Sequence, residues 1–133
     1  MEGKGRVLVI DDDCECLELA RAVLSREGLE VYTATDGEEG QRKALALRPD
    51  LIVLDVLMPE ADGWDTCDAL RSLPELKGVP IVFLSCVEPP KSVFVPHGAL
   101  DTVWDEYLTK PLRPKELIAA VRKHLGRPTL PRR

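Results

Sequence analysis

Three kinds of side chain stand at intervals along the chain where they could handle phosphate or a metal ion: carboxylates at Asp11, Asp12, Asp13 and Asp55, a hydroxyl at Ser85 and an ammonium at Lys110. Each follows a short apolar run. If those runs are neighbouring parallel strands, their carboxyl ends meet at one edge of one sheet, where the functional crevice of open α/β sheets lies. Carboxylates gathered there repel one another unless a cation sits among them, so a hard divalent ion is implied. Mg²⁺ takes oxygen ligands, keeps several waters and binds one or two carboxylates together with a phosphate, which suits this set better than Zn²⁺. Neither His97 nor His124 has a partner at metal-ligand spacing. With charge neutralised by the cation, a carboxylate can attack an in-line phosphorus while an ammonium and a hydroxyl stabilise the transferring oxygens. Asp55, Lys110 and Ser85 supply those three groups. Taken singly, an acidic run such as 11 to 13 is more often a solvated helix start favoured by the dipole, Asp55 a turn former, Ser85 a cap and Lys110 a solvated charge. Their recurrence at successive strand ends is what points to one site.

The elements that must position these groups are legible from pattern. Residues 6 to 10 form a β-branched run that stops at Asp11, reading as a strand buried on both faces. From about 14 to 27, Cys16, Leu17, Ala20, Val23 and Leu24 recur at helical spacing, and Gly28 supplies a stop. Leu29 to Thr33 reads as a second strand. Thr35-Asp36 then offers an N-cap to a helix carrying Ala44, Leu45 and Leu47, ended by Pro49. Leu51 to Leu54 is a third strand ending at Asp55, followed by a Pro59/Gly63 loop and a helix near 64 to 72 with Ala69 and Leu70 inward. Ile81 to Leu84 ends at Ser85, and Tyr107-Leu108 leads to Lys110-Pro111. Pro114 then opens a last helix with Leu117, Ile118, Val121 and Leu125 on one stripe. Strict alternation with uniformly apolar strands predicts a doubly wound α/β fold: a five-stranded parallel sheet, right-handed crossovers and up to five helices.

At 133 residues and 44% hydrophobic content the chain is the size of one domain. We expect the domain over residues 1–125, with 126–133, rich in proline and arginine, as a loose tail or the start of a linker. The net charge of −5 argues against direct nucleic-acid binding, which needs a basic face. No apolar run approaches the ~20 residues of a membrane span and no secretory pattern follows Met1, so a cytoplasmic protein that does not engage membranes is expected. The four cysteines lie inside regular elements and read as reduced thiols.

In order along the chain, Val-Leu-Val-Ile-Asp-Asp-Asp, Leu-Asp-Val-Leu-Met-Pro, Phe-Leu-Ser and Tyr-Leu-Thr-Lys-Pro resemble the signatures of receiver domains of bacterial two-component response regulators, over roughly residues 6 to 125. The resemblance implies the flavodoxin-like (βα)5 fold, with Asp55 as phosphoacceptor, Asp12 as a direct Mg²⁺ ligand, Asp11 as an ion-shell acid often acting through water, and the Leu57 carbonyl as a further ligand. It implies that Ser85 and Lys110 hold phosphoryl oxygens, that Tyr107 is the aromatic switch following the Ser85 hydroxyl, and that Lys110-Pro111 is cis. Asp13 is left outside the metal shell. The implied donor is a phosphohistidine of a sensor histidine kinase or phosphotransfer protein, and the implied reader a downstream protein or a linked output domain. Such a domain is a phosphoryl-accepting switch more than an enzyme.

The sequence departs from the receiver pattern between Ser85 and Lys110, where the chain is longer and carries Pro89-Pro90, Pro96 and His97-Gly98. Prolines there predict an irregular or shortened fourth helix. Val93, Phe94, Val95 and Trp104 then either fill the core or form a docking site, and filling the core is the simpler reading. Cys86 reads as a small hydrophobe rather than a redox switch, and Cys14 and Cys16 point to different faces. Leu57 and Val87, apolar where the family tunes hydrolysis, predict a slowly hydrolysed phosphoaspartate. Other functions fit less well. A haloacid-dehalogenase-like phosphohydrolase needs an acid two residues after the nucleophile, where Leu57 stands. A flavodoxin-like flavin carrier needs a phosphate-cradling loop, where three aspartates stand. An adaptor that has lost phosphorylation is disfavoured because no key side chain is missing.

Overall fold

The computed structural model describes residues 5–55, 63–76, 78–85 and 106–125, and of residues 63–65 and 85 the backbone alone. Along the chain run β1 (Arg6–Ile10), α1 (Cys14–Ser25), β2 (Glu30–Ala34), α2 (Gly37–Leu47), β3 (Leu51–Asp55), α3 (Gly63–Arg71), a 3₁₀ turn (Pro74–Leu76), β4 (Ile81–Ser85), β5 (Glu106–Thr109) and α4 (Pro114–Leu125). The strands pair in parallel in the order β2-β1-β3-β4-β5. The expected doubly wound α/β sheet is therefore present. Residues 88–104, where the irregular fourth helix was expected, lie outside the described residues, as do Leu57, Cys86, Val87 and the tail 126–133.

Because successive side chains of a strand point to opposite faces, the continuous apolar runs feed two cores. Leu8, Ile10, Ile52, Leu54, Ile81 and Phe83 meet α2 and α3 on one face, around Ala44, Cys67 and Leu70. Val7, Val9, Leu51, Val53, Val82 and Leu84 meet α1 and α4 on the other, around Leu17, Ala20, Leu24, Leu117 and Val121. Cys67 is buried in the first of these cores. Among the described residues no helix is long and apolar enough to cross a membrane.

Local signals set the ends of the helices. The Asp13 side chain accepts from the Glu15 amide to cap α1, and Asp36 accepts from the Glu39 amide to cap α2. Glu39 reaches back to the Thr35 amide, closing the cap from both sides and lowering its own carboxyl pKa. Gly28 follows α1 at φ +85°. At the end of α2 it is Arg48, one residue before Pro49, that turns left-handed at φ 51°.

Two helix faces differ from the sequence pattern. On α2, Leu45 is exposed and the buried face is Gly37, Gly40 and Ala44. Small residues let this helix lie close: a Cβ on Gly40 would fall 2.5 Å from Ile10 Cδ1. Gly40→Ala gains about 1 kcal/mol in helix propensity. It also forces a fully buried Ile10 to move, at about 2–3 kcal/mol for overpacking. Urea denaturation should show a net loss of about 1 kcal/mol; a variant at least as stable as wild type would show that Ile10 repacks freely. On α4, His124 joins Leu117, Ala120 and Val121 inside, while Ile118 and Leu125 are half-buried. His124 Nε2 lies 3.0 Å from Glu106 Oε1, and this contact above all holds the Glu106 carboxyl below its ordinary pKa.

Candidate functional site

The register decides what meets at the carboxyl edge. Ile10 lies beside Ala34 and Leu54, Asp55 beside Leu84, and Ser85 beside Thr109, so each of β1, β3, β4 and β5 ends level with or one residue from its neighbour along the same edge. The Asp11 amide donates to the Ala34 carbonyl at 3.0 Å, extending the ladder by one residue and holding the Asp11 backbone at the rim. Asp11 is fully buried, Asp55 nearly so, and Asp12 is exposed. One carboxylate oxygen from each of the three lies within 4.8 Å of the others. The structure thus brings together three carboxylates separated by up to 44 positions in sequence.

Lys110, directly after β5, projects into this cluster. Its Nζ lies 3.0 Å from Asp11 Oδ2, 3.3 Å from Asp11 Oδ1 and 3.7 Å from Asp55 Oδ2. Burial by itself pushes the ammonium pKa down, but the hydrogen bond and charge of Asp11 and the charge of Asp55 outweigh it, and the net shift is upward. Lys110-Pro111 is cis. Asp11 Oδ1 also accepts the Asp13 amide at 2.9 Å, whereas Asp11 Oδ2, buried and facing the ammonium, makes no well-aligned hydrogen bond. A buried carboxylate oxygen with charge opposite it but no hydrogen bond fits a rim able to accept an oxygen-seeking cation alongside Lys110. Asp13 uses its carboxylate to cap α1.

Tyr107 is half-buried on β5, with its ring centroid 6.2 Å from that of Phe83 and the planes tilted by 58°. Its neighbour in the row is the strand that ends at Ser85, whose backbone is described and whose side chain is not. The Leu57 carbonyl lies outside the described residues.

Sequence reading missed Cys16 as a member of this neighbourhood. Cys14 is exposed and Cys16 buried, as their different faces required. Burial first, and then the neighbouring Asp11 carboxylate, push the Cys16 thiol pKa up to about 12. The usable signal was its position in the first turn of a helix that starts right after the acidic run, on the side facing the sheet.

Comparison with known proteins places this geometry. The family model described as response regulator receiver domain matches residues 7–122. The chain is 38% identical over 122 residues to the DNA-binding response regulator MtrA of Mycolicibacterium paratuberculosis, covering 92% of this chain and 52% of that protein. It is also 38% identical over 122 residues to the alkaline phosphatase synthesis transcriptional regulatory protein PhoP of Bacillus subtilis, covering 92% and 49%. It thus spans about half the length of these curated relatives. Among solved structures, the chemotaxis protein CheY4 of Vibrio cholerae superposes with a TM-score of 0.82 at 29% identity, covering 92% of this chain and 99% of that one. A family match over nearly the whole chain, the shared fold, and acids and a lysine converging at the sheet edge lead to one conclusion: the chain belongs to the response regulator receiver domains of two-component systems.

Proposed function

We propose that Asp55 is the phosphoacceptor, taking a phosphoryl group from a phosphohistidine of a sensor kinase or phosphotransfer protein. The observation that carries this reading is the placement of Lys110 between Asp11 and Asp55, beside three carboxylates that share a radius of metal-ligand size. Asp11, Asp12 and Asp55, with the Leu57 carbonyl, would hold Mg²⁺. Bound there, Mg²⁺ supplies neutralisation of the incoming phosphoryl and carboxylate charges. Asp55 provides the attacking oxygen, and the phosphorus–nitrogen bond of the donor breaks as the phosphorus–oxygen bond forms. Lys110 turns its ammonium from Asp11 and Asp55 to a phosphoryl oxygen, and Ser85 offers a hydroxyl to another. Tyr107, packed against Phe83 on the neighbouring strand, follows Ser85 and alters the surface read by a downstream partner or a linked output domain. The module works in the cytoplasm, with 126–133 as a tail or the start of a linker. MtrA is named as DNA-binding, and we assign no such contact to this acidic domain itself.

The test is direct. Incubated with acetyl phosphate and Mg²⁺, the chain gains one phosphoryl group by intact mass, and chelation by EDTA prevents it. Once donor is removed, the adduct decays slowly, because Leu57 and Val87 offer no polar group to orient water. No mass gain would overturn the assignment; decay within seconds would overturn the part given to Leu57 and Val87.

A further inference from the structure

We propose that residues 126–131 fold back on the domain and seat Leu130 in an apolar groove between the end of α1 and the neighbouring face of α4. The groove holds about 250 Å³. Leu24 and Val121, both buried, form its floor, and Leu29, Ile118 and Leu125, all half-buried, form its walls. Glu27 and Arg122 also line it and pair with each other, joining its two sides. A rim whose charges are already paired, above walls of leucine and isoleucine, selects a small apolar group rather than a charged one.

Size decides against a second copy of the chain as occupant. Seven residues line the groove, whereas a stable interface between two proteins engages about 20–30 residues a side. The chain itself supplies a nearer one. α4 ends at Leu125, a wall of the groove, and the next residue is Gly126, the residue type that most readily turns the chain at a helix end, as Gly28 does after α1. Leu130 is the one large apolar side chain of 126–133. Arg127 and Leu130 each precede a proline, which drives both to extended backbone and lowers the entropy lost on docking. Extended, the residues from Gly126 to Leu130 span up to about 17 Å. The groove runs back along α4 from Leu125 to Ile118, about 10 Å of helix. Leu130 therefore reaches every part of it after the turn. Docking is independent of the phosphoryl chemistry proposed above, and where 126–133 begins a linker it sets the direction in which that linker leaves the domain.

The experiment follows methyl signals of the full chain by NMR in wild type, Leu130→Ala and Leu130→Met, each at a high and a low protein concentration. In wild type, cross-peaks should join the Leu130 methyls to those of Leu29 and Ile118 and persist on dilution. Alanine removes apolar carbons from the docked group, so the ratio of docked to free segment should fall about tenfold, the contact should vanish and the Leu29 and Ile118 methyls should shift. Methionine, of similar volume, should leave those two signals near their wild-type positions. Absence of cross-peaks from Leu130 to the groove overturns the inference, and so do Leu29 and Ile118 signals unmoved by Leu130→Ala. Cross-peaks that come instead from Met1 give the groove to residues 1–4, and ones that fade on dilution and join differently labelled copies give it to a second copy; either result overturns the inference too.

Discussion

Asp55→Asn should abolish phosphoryl uptake from acetyl phosphate and, in the same variant, stabilise the metal-free protein. The first effect follows from chemistry: an amide oxygen is a poor nucleophile toward phosphorus, and Asp11, the other buried acid of the cluster, is already engaged by the Asp13 amide and the Lys110 ammonium. The second follows from charge. Asp55 is attracted by Lys110 at 3.7 Å and repelled by two carboxylates within 4.8 Å. At an effective dielectric constant of about 20, the attraction is roughly 4–5 kcal/mol and each repulsion roughly 3–4 kcal/mol. Two repulsions exceed one attraction, and the residue is almost wholly buried. Replacing the charge by a neutral isostere should therefore raise unfolding free energy in EDTA by about 1–2 kcal/mol, after solvent and side-chain relaxation take their share. Mg²⁺ reverses the order, because wild type has one more carboxylate to bind it. Urea denaturation with EDTA and with Mg²⁺ checks both signs. Continued phosphorylation of the variant would move the acceptor to another residue, and a less stable variant in EDTA would mean that Asp55 is held mainly by hydrogen bonds rather than strained by its neighbours.

The same repulsion explains why the site could be read from the sequence at all. An acid at the end of one apolar run is ordinary, but acids at the ends of two, and a lysine after another, are consistent only if something neutralises them together. The central strands were legible because they are buried on both faces, so a simple run of Val, Leu and Ile marks each of them, and the edges of β1 and β3 fell where the acids begin. What pattern could not supply was close approach. Nothing in the spacing of Gly37, Gly40 and Ala44 outweighs Leu45 as an inward candidate until Ile10 is seen beneath the helix. His124 stands outside the apolar stripe read for its helix, and Glu106, which partners it, is eighteen positions away. Cys16 escaped for the same reason: Asp11 follows a strand of the sheet, and helical periodicity says only that Cys16 faces inward. Contacts between elements depend on register and on small residues, which single-element patterns do not encode.

Lys110→Met should show how far that register matters. Methionine keeps the length of the stem and removes the charge, leaving Asp11 and Asp55 buried without their cation. Removing one partner from a buried pair typically costs about 3–5 kcal/mol, and since the Lys110 side chain remains 19% exposed the expected loss in EDTA at neutral pH is about 2–3 kcal/mol. The pH dependence has a defined sign. The folded-state pKa of Lys110 is raised above its ordinary value of 10.5, so its contribution is fully present below that value and is lost as pH rises through the folded pKa. The stability gap between wild type and variant should thus stay level across the neutral range and close only in strong alkali. Mg²⁺ should close it at neutral pH, because the ion replaces the missing charge and no longer competes with an ammonium for Asp11. Phosphoryl uptake should nevertheless stay low in the variant with Mg²⁺ saturating, since the cation restores charge balance but not the donor that Lys110 brings to the transferring oxygen. Restored stability with restored uptake would reduce Lys110 to a structural counter-ion, whereas restored stability without uptake separates its two roles in one protein.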